Sequence, residues 1–452
     1  MADASELARD SLDWLLVMAR SRGNGLAWAG TPDDDELDPT LYGGAAGVVL
    51  ALLEGYRHFG DDRYAEAAER GARSIAAAVD ERWQLSSFYL GLAGMAFALR
   101  AVHSVLGDRS ADQAAVRALD LVRSRFDGER WGDQFELLGG NAGIALGAVR
   151  AGDLDLAVLA VTPYLRTAER TPGGVNWEVR AGVPARFHHI SHGTLGIVFA
   201  LAATGHAAGR GDLVELALAG AADVISRNEA GPAGFLVPHS DPQHRPDLIE
   251  RYSYGWCHGP AGDAQVFRLL AQVTSDPAWS DLADRCWYTI TRSGIPHRLR
   301  PGFWDNSGRC CGTAGVLALA CDRHVEQADD LTFSEILVDD LASRATVDAD
   351  GARWCNYEHR ASPSTLPPRT GWAMGNAGIA RELLRYARVR DGREPDDAFA
   401  WPDQLPANPS LGQPKSAGEL NLAKGRGLGA VREDGAAQTQ PIDAGGAAVR
   451  RL

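Results

Sequence analysis

Long hydrophobic runs are missing from this chain of 452 residues. No apolar stretch approaches the roughly eighteen residues of a membrane-spanning helix, so stable membrane insertion is not expected. The N-terminus also lacks the basic, apolar and small-residue succession of a secretory signal, and a cytoplasmic protein is expected. Positive charge is in short supply. Lysine and arginine total 45 against 59 aspartate and glutamate, a net charge of −14, and no basic stripe or RNA-binding motif opposes that balance; a nucleic-acid partner is not expected. Cysteine is sparse too. Six in a chain this long do not make a disulfide framework and favour metal binding or catalysis.

What is plentiful is glycine in one arrangement. Gly-x-x-Gly recurs at Gly44, Gly91, Gly140, Gly193, Gly259, Gly312 and Gly375, at intervals of about fifty residues or somewhat more. An almost wholly apolar run follows, such as Val48-Val49-Leu50-Ala51-Leu52 or Ile197-Val198-Phe199-Ala200-Leu201. A helix apolar all round is buried. Between these runs lie amphipathic segments at 4–20, 63–79, 111–126, 153–169, 212–227, 277–292 and 330–344. One buried and one half-exposed helix per repeat describe two concentric rings. The expected fold is all-α, a seven-fold α/α toroid or double barrel of about 14 helices.

Glycine at each inner-helix start allows a sharp turn and close backbone approach, and leaves N–H groups open at the helix N-terminus. A tryptophan recurs ahead of most motifs, at Trp28, Trp83, Trp131, Trp177, Trp304 and Trp354, and reads as packing for the lead-in loops. Beyond Trp401 the chain is rich in Pro, Gly, Ala, Ser and Gln without periodicity. The domain reading is a toroid over 1–395 and a disordered tail over 396–452.

Three cysteines share a place in the repeat. Cys257, Cys310 and Cys311 each fall just before a Gly-x-x-Gly motif, at the mouth of the inner ring on adjacent repeats. Zinc takes thiolate and imidazole ligands tetrahedrally, and a catalytic site uses three protein ligands with one position open. Cys286 and Cys321 sit within helical runs and read as core; Cys355 precedes the seventh motif by too much to be an obvious ligand.

The pieces Trp256-Cys257-His258-Gly259-Pro260-Ala261-Gly262, Cys310-Cys311-Gly312-Thr313-Ala314-Gly315 and Ser191-His192-Gly193-Thr194-Leu195-Gly196 resemble the lanthionine synthetase C-like (LanC-like) family, and the repeat carries the resemblance over about residues 1–390. The resemblance implies a seven-fold α/α toroid around one Zn2+. It implies a zinc-dependent lanthipeptide cyclase, which adds a cysteine thiol in Michael fashion to dehydroalanine or dehydrobutyrine of a modified peptide and closes thioether rings. The partner is then a dehydrated precursor peptide. With no dehydratase region ahead of the toroid, a stand-alone enzyme served by a separate dehydratase is expected. The implied zinc ligands are Cys257, Cys310 and, where histidine is commoner in the family, Cys311. Three thiolates over-neutralise the ion's charge and should leave a substrate sulfur more electron-rich.

A free thiol near pKa 8.5 is only a few per cent thiolate at neutral pH, and conjugate addition leaves an enolate that needs a proton, so a histidine across the cavity suits the chemistry. His192 occupies the same repeat position as His258 and Cys311 and matches the family's catalytic histidine. His188 and His189 read as loop residues. Glu136 stands where the family usually has an aspartate that orients the histidine, and reads equally as a charged loop residue. Ser253 stands where bacterial cyclases often carry arginine, with Arg251 displaced by two. His258 replaces a common tyrosine, a form frequent in stand-alone and eukaryotic members; it reads equally as a second acid/base or as a residue supporting the ligands. Two other activities compete. One is addition of glutathione or another thiol to dehydrated proteins. The other is a metal-free α/α-toroid carbohydrate-active enzyme, which would need a carboxylate pair drawn from Asp133, Glu136, Asp263 and Asp305.

Overall fold

The computed structural model describes residues 3–247, 249–297, 306–357, 365–393, 401 and 403–405. Trp304 and Asp305 lie outside them. Among the described residues, seven inner helices start at the seven motifs: α2 Ala45–Phe59, α4 Leu92–Leu106, α6 Asn141–Arg150, α8 Thr194–Ala208, α10 Pro260–Thr274, α12 Thr313–Gln327 and α14 Asn376–Arg390. Seven outer helices alternate with them: α1 Ala4–Val17, α3 Asp62–Ala78, α5 Arg109–Ser124, α7 Leu154–Thr167, α9 Gly211–Ile225, α11 Pro277–Thr291 and α13 Thr332–Arg344.

Burial follows the two sequence patterns. Helix α8 buries every residue from Thr194 to Ala202, as its apolar run requires, whereas α5 buries only the stripe Ala111, Ala114, Ala115, Ala118, Leu119 and Val122. Each inner helix packs on the next, and α14 returns to α2, so the ring closes; α1 covers α14. The α/α double barrel is therefore as expected. Short antiparallel hairpins add a little strand on the connections, as where Arg20–Arg22 pairs with Gly25–Ala27.

The tryptophans earn their recurrence at these hairpins. The indole N–H groups of Trp28, Trp177 and Trp354 donate to the carbonyls of Leu15, Tyr164 and Leu341, at 2.7, 3.1 and 2.8 Å, near the C-termini of α1, α7 and α13. They satisfy carbonyls that a helix end leaves unpaired.

The glycines work differently from expectation. At Gly312 the backbone has φ −140°, a conformation open to any residue, so no special turn is required. The need is for space: a Cβ there would sit 2.1 Å from the carbonyl oxygen of Asn306, and one at Gly262 would sit 1.9 Å from that of Trp256. The lead-in loop folds onto the first helical turn so closely that its carbonyls cap the helix. Thr313 N–H donates to Asn306 and Ala314 N–H to Ser307, with Leu195 bonding His188 in the same way. These N–H groups are thus occupied, not open as expected.

The start of the expected tail also departs from the reading. Trp401, Asp403, Gln404 and Leu405 are buried against the inner barrel, although they fall within the 396–452 stretch assigned to a disordered tail. Trp401 stacks on Trp372 with ring centroids 5.1 Å apart, and Asp403 pairs with Arg309. An aromatic and a carboxylate with buried partners outweigh the low local periodicity that suggested disorder. The rest of 396–452 lies outside the described residues.

Candidate metal centre

The residues two before each first glycine form a ring. They are Tyr42, Tyr89, Leu138, Ser191, Cys257, Cys310 and Ala373. Six of the seven backbone links around it are made: Leu138 N–H donates to Ser191 O, Ser191 to Cys257, Cys257 to Cys310, Cys310 to Ala373, Ala373 to Tyr42 and Tyr42 to Tyr89, at 2.8–3.3 Å. Residues far apart in sequence are thereby fixed side by side at the mouth of the inner barrel. The Gly-x-x-Gly repeat has this physical consequence: a shared place in the repeat becomes a shared place in space.

Cys257 and Cys310 are neighbours in that ring, and Cys311 follows Cys310. Their sulfurs all lie within 4.8 Å of one another, with Cys257 to Cys311 at 3.1 Å and Cys311 to Cys310 at 3.4 Å. All three are buried and none is in a disulfide. Three sulfurs on a tetrahedral ion with bonds near 2.3 Å stand about 3.8 Å apart, so these two sulfur–sulfur distances would open by about 0.4–0.7 Å to hold zinc. Among the described residues no other group of three Cys, His, Asp or Glu side chains converges in this way. Hydrogen bonds from Cys257 and Cys311, with one from Tyr42, hold the Cys310 thiol well below its ordinary pKa. Burial pushes Cys257 up, and the bonds it shares with the other two sulfurs push Cys311 up. The donor set already favours a thiolate at its centre.

His192 stands beside this cluster on the neighbouring repeat. Its Nδ1 lies 3.2 Å from Glu136 Oε1 and 3.2 Å from an Arg180 Nη. Glu136 is fully buried, and its carboxylate accepts the backbone N–H groups of Leu138 and Gly139 at 2.5 and 3.2 Å. The loop leading into the third motif thus folds around Glu136 and aims its second oxygen at the imidazole. His258 stacks on His192, with centroids 5.2 Å apart, and backs onto His239 at 4.1 Å. Burial, then the neighbouring His239 and His192, holds His258 well below the usual histidine range. His189 is buried in the loop, its Nδ1 2.8 Å from Asp263 Oδ2. His188 is buried beside it and lowered to about 3, chiefly by burial.

Cys257, Cys310, Cys311, His192, His258 and Glu136 are thus gathered at one end of the barrel. Cys286 and Cys321 are buried in α11 and α12, and Cys355 is half-buried apart from the triad. Arg251 is spent on Glu229 and Tyr252 at the surface. The guanidinium near the imidazole comes instead from Arg180, next to a β-bridge between Arg180 and Gln134. No repeat position marks Arg180, which the sequence reading missed, as it missed His239. Two of the four carboxylates weighed for glycoside chemistry are otherwise engaged, Glu136 with its loop and His192 and Asp263 with His189; Asp133 is exposed, and Asp305 lies outside the described residues.

Fold and site define a class: an α/α toroid whose inner-helix starts converge on a buried trithiol centre flanked by histidines. The sequence profile of the family described as lanthionine synthetase C-like protein matches residues 35–246 and 242–338, and the chain belongs to that family. Among solved structures it is similar to nisin cyclase, with a TM-score of 0.56 and 14% identity over 78% of this chain and 94% of that one, a likeness of fold. The GH76A alpha-1,6-mannanase of Salegentibacter sp. HEL1_6 is a weaker likeness, with a TM-score of 0.48 and 11% identity over 86% of this chain and 100% of that one. No curated protein matches the chain. Among the described residues no helix is long and apolar enough to cross a membrane.

Proposed function

We propose that this protein is a zinc-dependent thioether-forming cyclase, acting on a peptide that a dehydratase has supplied with dehydroalanine or dehydrobutyrine. The observation that carries the reading is the convergence of three buried sulfurs beside a histidine held between a carboxylate and a guanidinium. Cys257, Cys310 and Cys311 would hold the ion. When bound, zinc deprotonates a thiol that would otherwise be mostly protonated at neutral pH and fixes its position.

The chain's own residues then manage the proton. The addition makes a carbon–sulfur bond at the β-carbon of the dehydro residue. It opens the C=C bond and leaves an enolate, which takes a proton at the α-carbon. For Nε2 to receive the thiol proton and later return it to the α-carbon, Nδ1 of His192 carries its own proton towards Glu136 Oε1, 3.2 Å away, and the Arg180 Nη at the same distance turns away from that nitrogen. The buried carboxylate stabilises the imidazolium that exists between the two transfers. Arg180 brings positive charge to the same point and suits the oxygen of the developing enolate. His258, held neutral by burial, stacks on His192 and limits its rotation.

The test is a purified protein with its metal content measured, given a dehydrated peptide that carries a cysteine, and in a parallel arm glutathione. Peptide thiol should disappear faster than in buffer at the same pH, with thioether product of one stereochemistry. A protein with one zinc that leaves both thiols at the background rate would refute the activity.

A further inference from the structure

One layer deeper than the ring lie the residues three before each first glycine. Six are apolar, Leu41, Phe88, Leu137, Ile190, Trp256 and Trp372, and the remaining one is Arg309. All seven are buried. A guanidinium in this layer, one residue before Cys310, is an expense the other repeats avoid. Its partners explain how it is held. Arg309 Nε donates to Glu382 at 2.9 Å, and an Nη faces Asp403 at 3.3 Å. Its guanidinium carbon lies over the rings of Trp256 and Trp372, 5.6 and 5.4 Å from their centres. Trp256 in turn precedes Cys257. Arg309 therefore touches the supports of both ends of the thiol cluster.

Glu382 cannot balance this layer alone. The same oxygen that accepts from Arg309 also accepts from Arg381 at 2.6 Å. The second carboxylate, and a second partner for Arg381 in Gln404 Oε1 at 2.6 Å, come from beyond α14. Trp401 completes the contact by stacking on Trp372, with the Arg381 guanidinium over the Trp401 ring, 5.2 Å from its centre. Arg150, at the C-terminal end of α6, binds the backbone carbonyl of Gln404 from across the barrel.

We propose that Trp401, Asp403 and Gln404 form an intramolecular plug in the inner barrel, and that Asp403 is a positioning residue: through Arg309 and Trp256 it holds the three thiols in metal-binding register. This rests on the reading of the thiols as a metal site. Removing Asp403 leaves Arg309 with only Glu382, an acid it shares with Arg381, whereas Arg381 keeps Glu54 at 4.0 Å; Arg309 is then free to shift away from Trp256 and to loosen the backbone that carries Cys310.

The test uses full-length protein. Metal transfer from the zinc-loaded protein to a chromophoric chelator is timed for wild type, Asp403→Ala and Trp401→Ala. Asp322→Asn serves as a control, since Asp322 is buried in the same barrel but pairs with Arg268 and Arg385. Metal loss should be about ten- to a hundredfold faster in the first two variants, the range seen when supports behind metal ligands are removed. The control should lose melting temperature without losing metal faster. Metal-free samples are labelled with iodoacetamide in parallel, and the rates at Cys257, Cys310 and Cys311 are read by mass spectrometry; they should rise in Asp403→Ala. Trp401→Phe replaces Trp401→Ala if the latter does not fold. Unchanged metal loss and labelling in Asp403→Ala, or equal acceleration by Asp322→Asn, would overturn the plug's role. A wild type that takes up no metal, with labelling still faster in Asp403→Ala, would instead refute the metal reading and keep the positioning.

Discussion

Replacing Glu136 by glutamine is the sharpest probe of the proton-handling side of the site. The change removes one charge and almost no volume. Glu136 now uses one oxygen for Leu138 N–H and the other for Gly139 N–H and His192 Nδ1. An amide cannot serve both sides. If its oxygen faces Leu138, its NH2 group points at Gly139 N–H and at the imidazole; if it is turned over, the NH2 group points at Leu138 N–H. The first arrangement keeps the Leu138 bond of the loop and gives up those to Gly139 and the histidine. The lost interaction is a hydrogen bond to an ionised group, worth about 1.5–3 kcal/mol in a buried setting. If it operates only while His192 carries the extra proton, it is lost in full from the transition state. The rate should then fall by about ten- to a hundredfold. Glu136→Asp keeps the charge but retracts it by about one carbon–carbon bond, so its rate should lie between the two.

The assay follows loss of peptide thiol at fixed pH, corrected for the uncatalysed addition, with metal content and melting temperature measured on each variant. Metal content should be unchanged, because Glu136 touches none of the three sulfurs. The loop bonds contribute about 1–2 kcal/mol, a shift of only a few degrees in a protein of this size. A Glu136→Gln enzyme with full metal and wild-type kcat/KM would refute the assignment of His192 as a carboxylate-supported base.

Further outcomes follow from the same geometry. Changing Cys257, Cys310 or Cys311 singly to alanine should strongly reduce bound zinc, and the triple variant should have none, by metal analysis of protein purified without added chelator. His192→Ala should keep zinc and fold but lose about 10²–10⁴ of the rate, the usual contribution of a general acid/base; retention of wild-type rate and product stereochemistry would turn attention to His258. The metal-free protein should lose stability as pH falls from about 6.5 towards 3. His188 and His239 are both lowered to about 3 by burial, so the unfolded chain takes up protons there that the folded chain refuses. The loss is on the order of a few kcal/mol per histidine at most, and urea midpoints at several pH values should show it flattening in His239→Gln.

Much of this was legible before any coordinates, and the reason is the repeat. Seven Gly-x-x-Gly signatures fix seven helix starts, and the near-closed ring of backbone bonds gives equivalent sequence positions equivalent places around the mouth. Cys257, Cys310 and Cys311 meet because they hold adjacent stations in that ring, 53 and 54 residues apart across one repeat, not because their spacing resembles a metal motif. Glu136 and His192 meet for the same reason, one repeat apart. Residues that enter the site from irregular connections escape such reasoning. Arg180 and His239 lie on the long loops that precede the fourth and fifth motifs, where no period assigns a station, and their placement depends on a β-bridge to Gln134 and a two-residue ladder between Arg186–Phe187 and Ser240–Asp241.

The plug was illegible for a different reason. Composition measures whether a segment can bury itself, and the stretch after Trp401 lacks the periodic apolar residues to do so. What binds Trp401 and Asp403 is a requirement located elsewhere: Arg309, a charge set in an otherwise apolar layer, and Arg381 beside it. The clue available in sequence was therefore the misfit at 309, not any property of the tail. Aligning the seven repeats three residues before the glycine exposes a buried arginine among Leu, Phe, Ile and Trp, and a buried arginine demands a carboxylate. Within the repeats Arg309 has only Glu382, which it shares with Arg381, while Glu54 serves Arg381 and Arg388; its second acid, Asp403, comes from outside the seven repeats. In a repeat protein, the station that breaks the consensus is where the non-repeating part of the chain should be expected to dock.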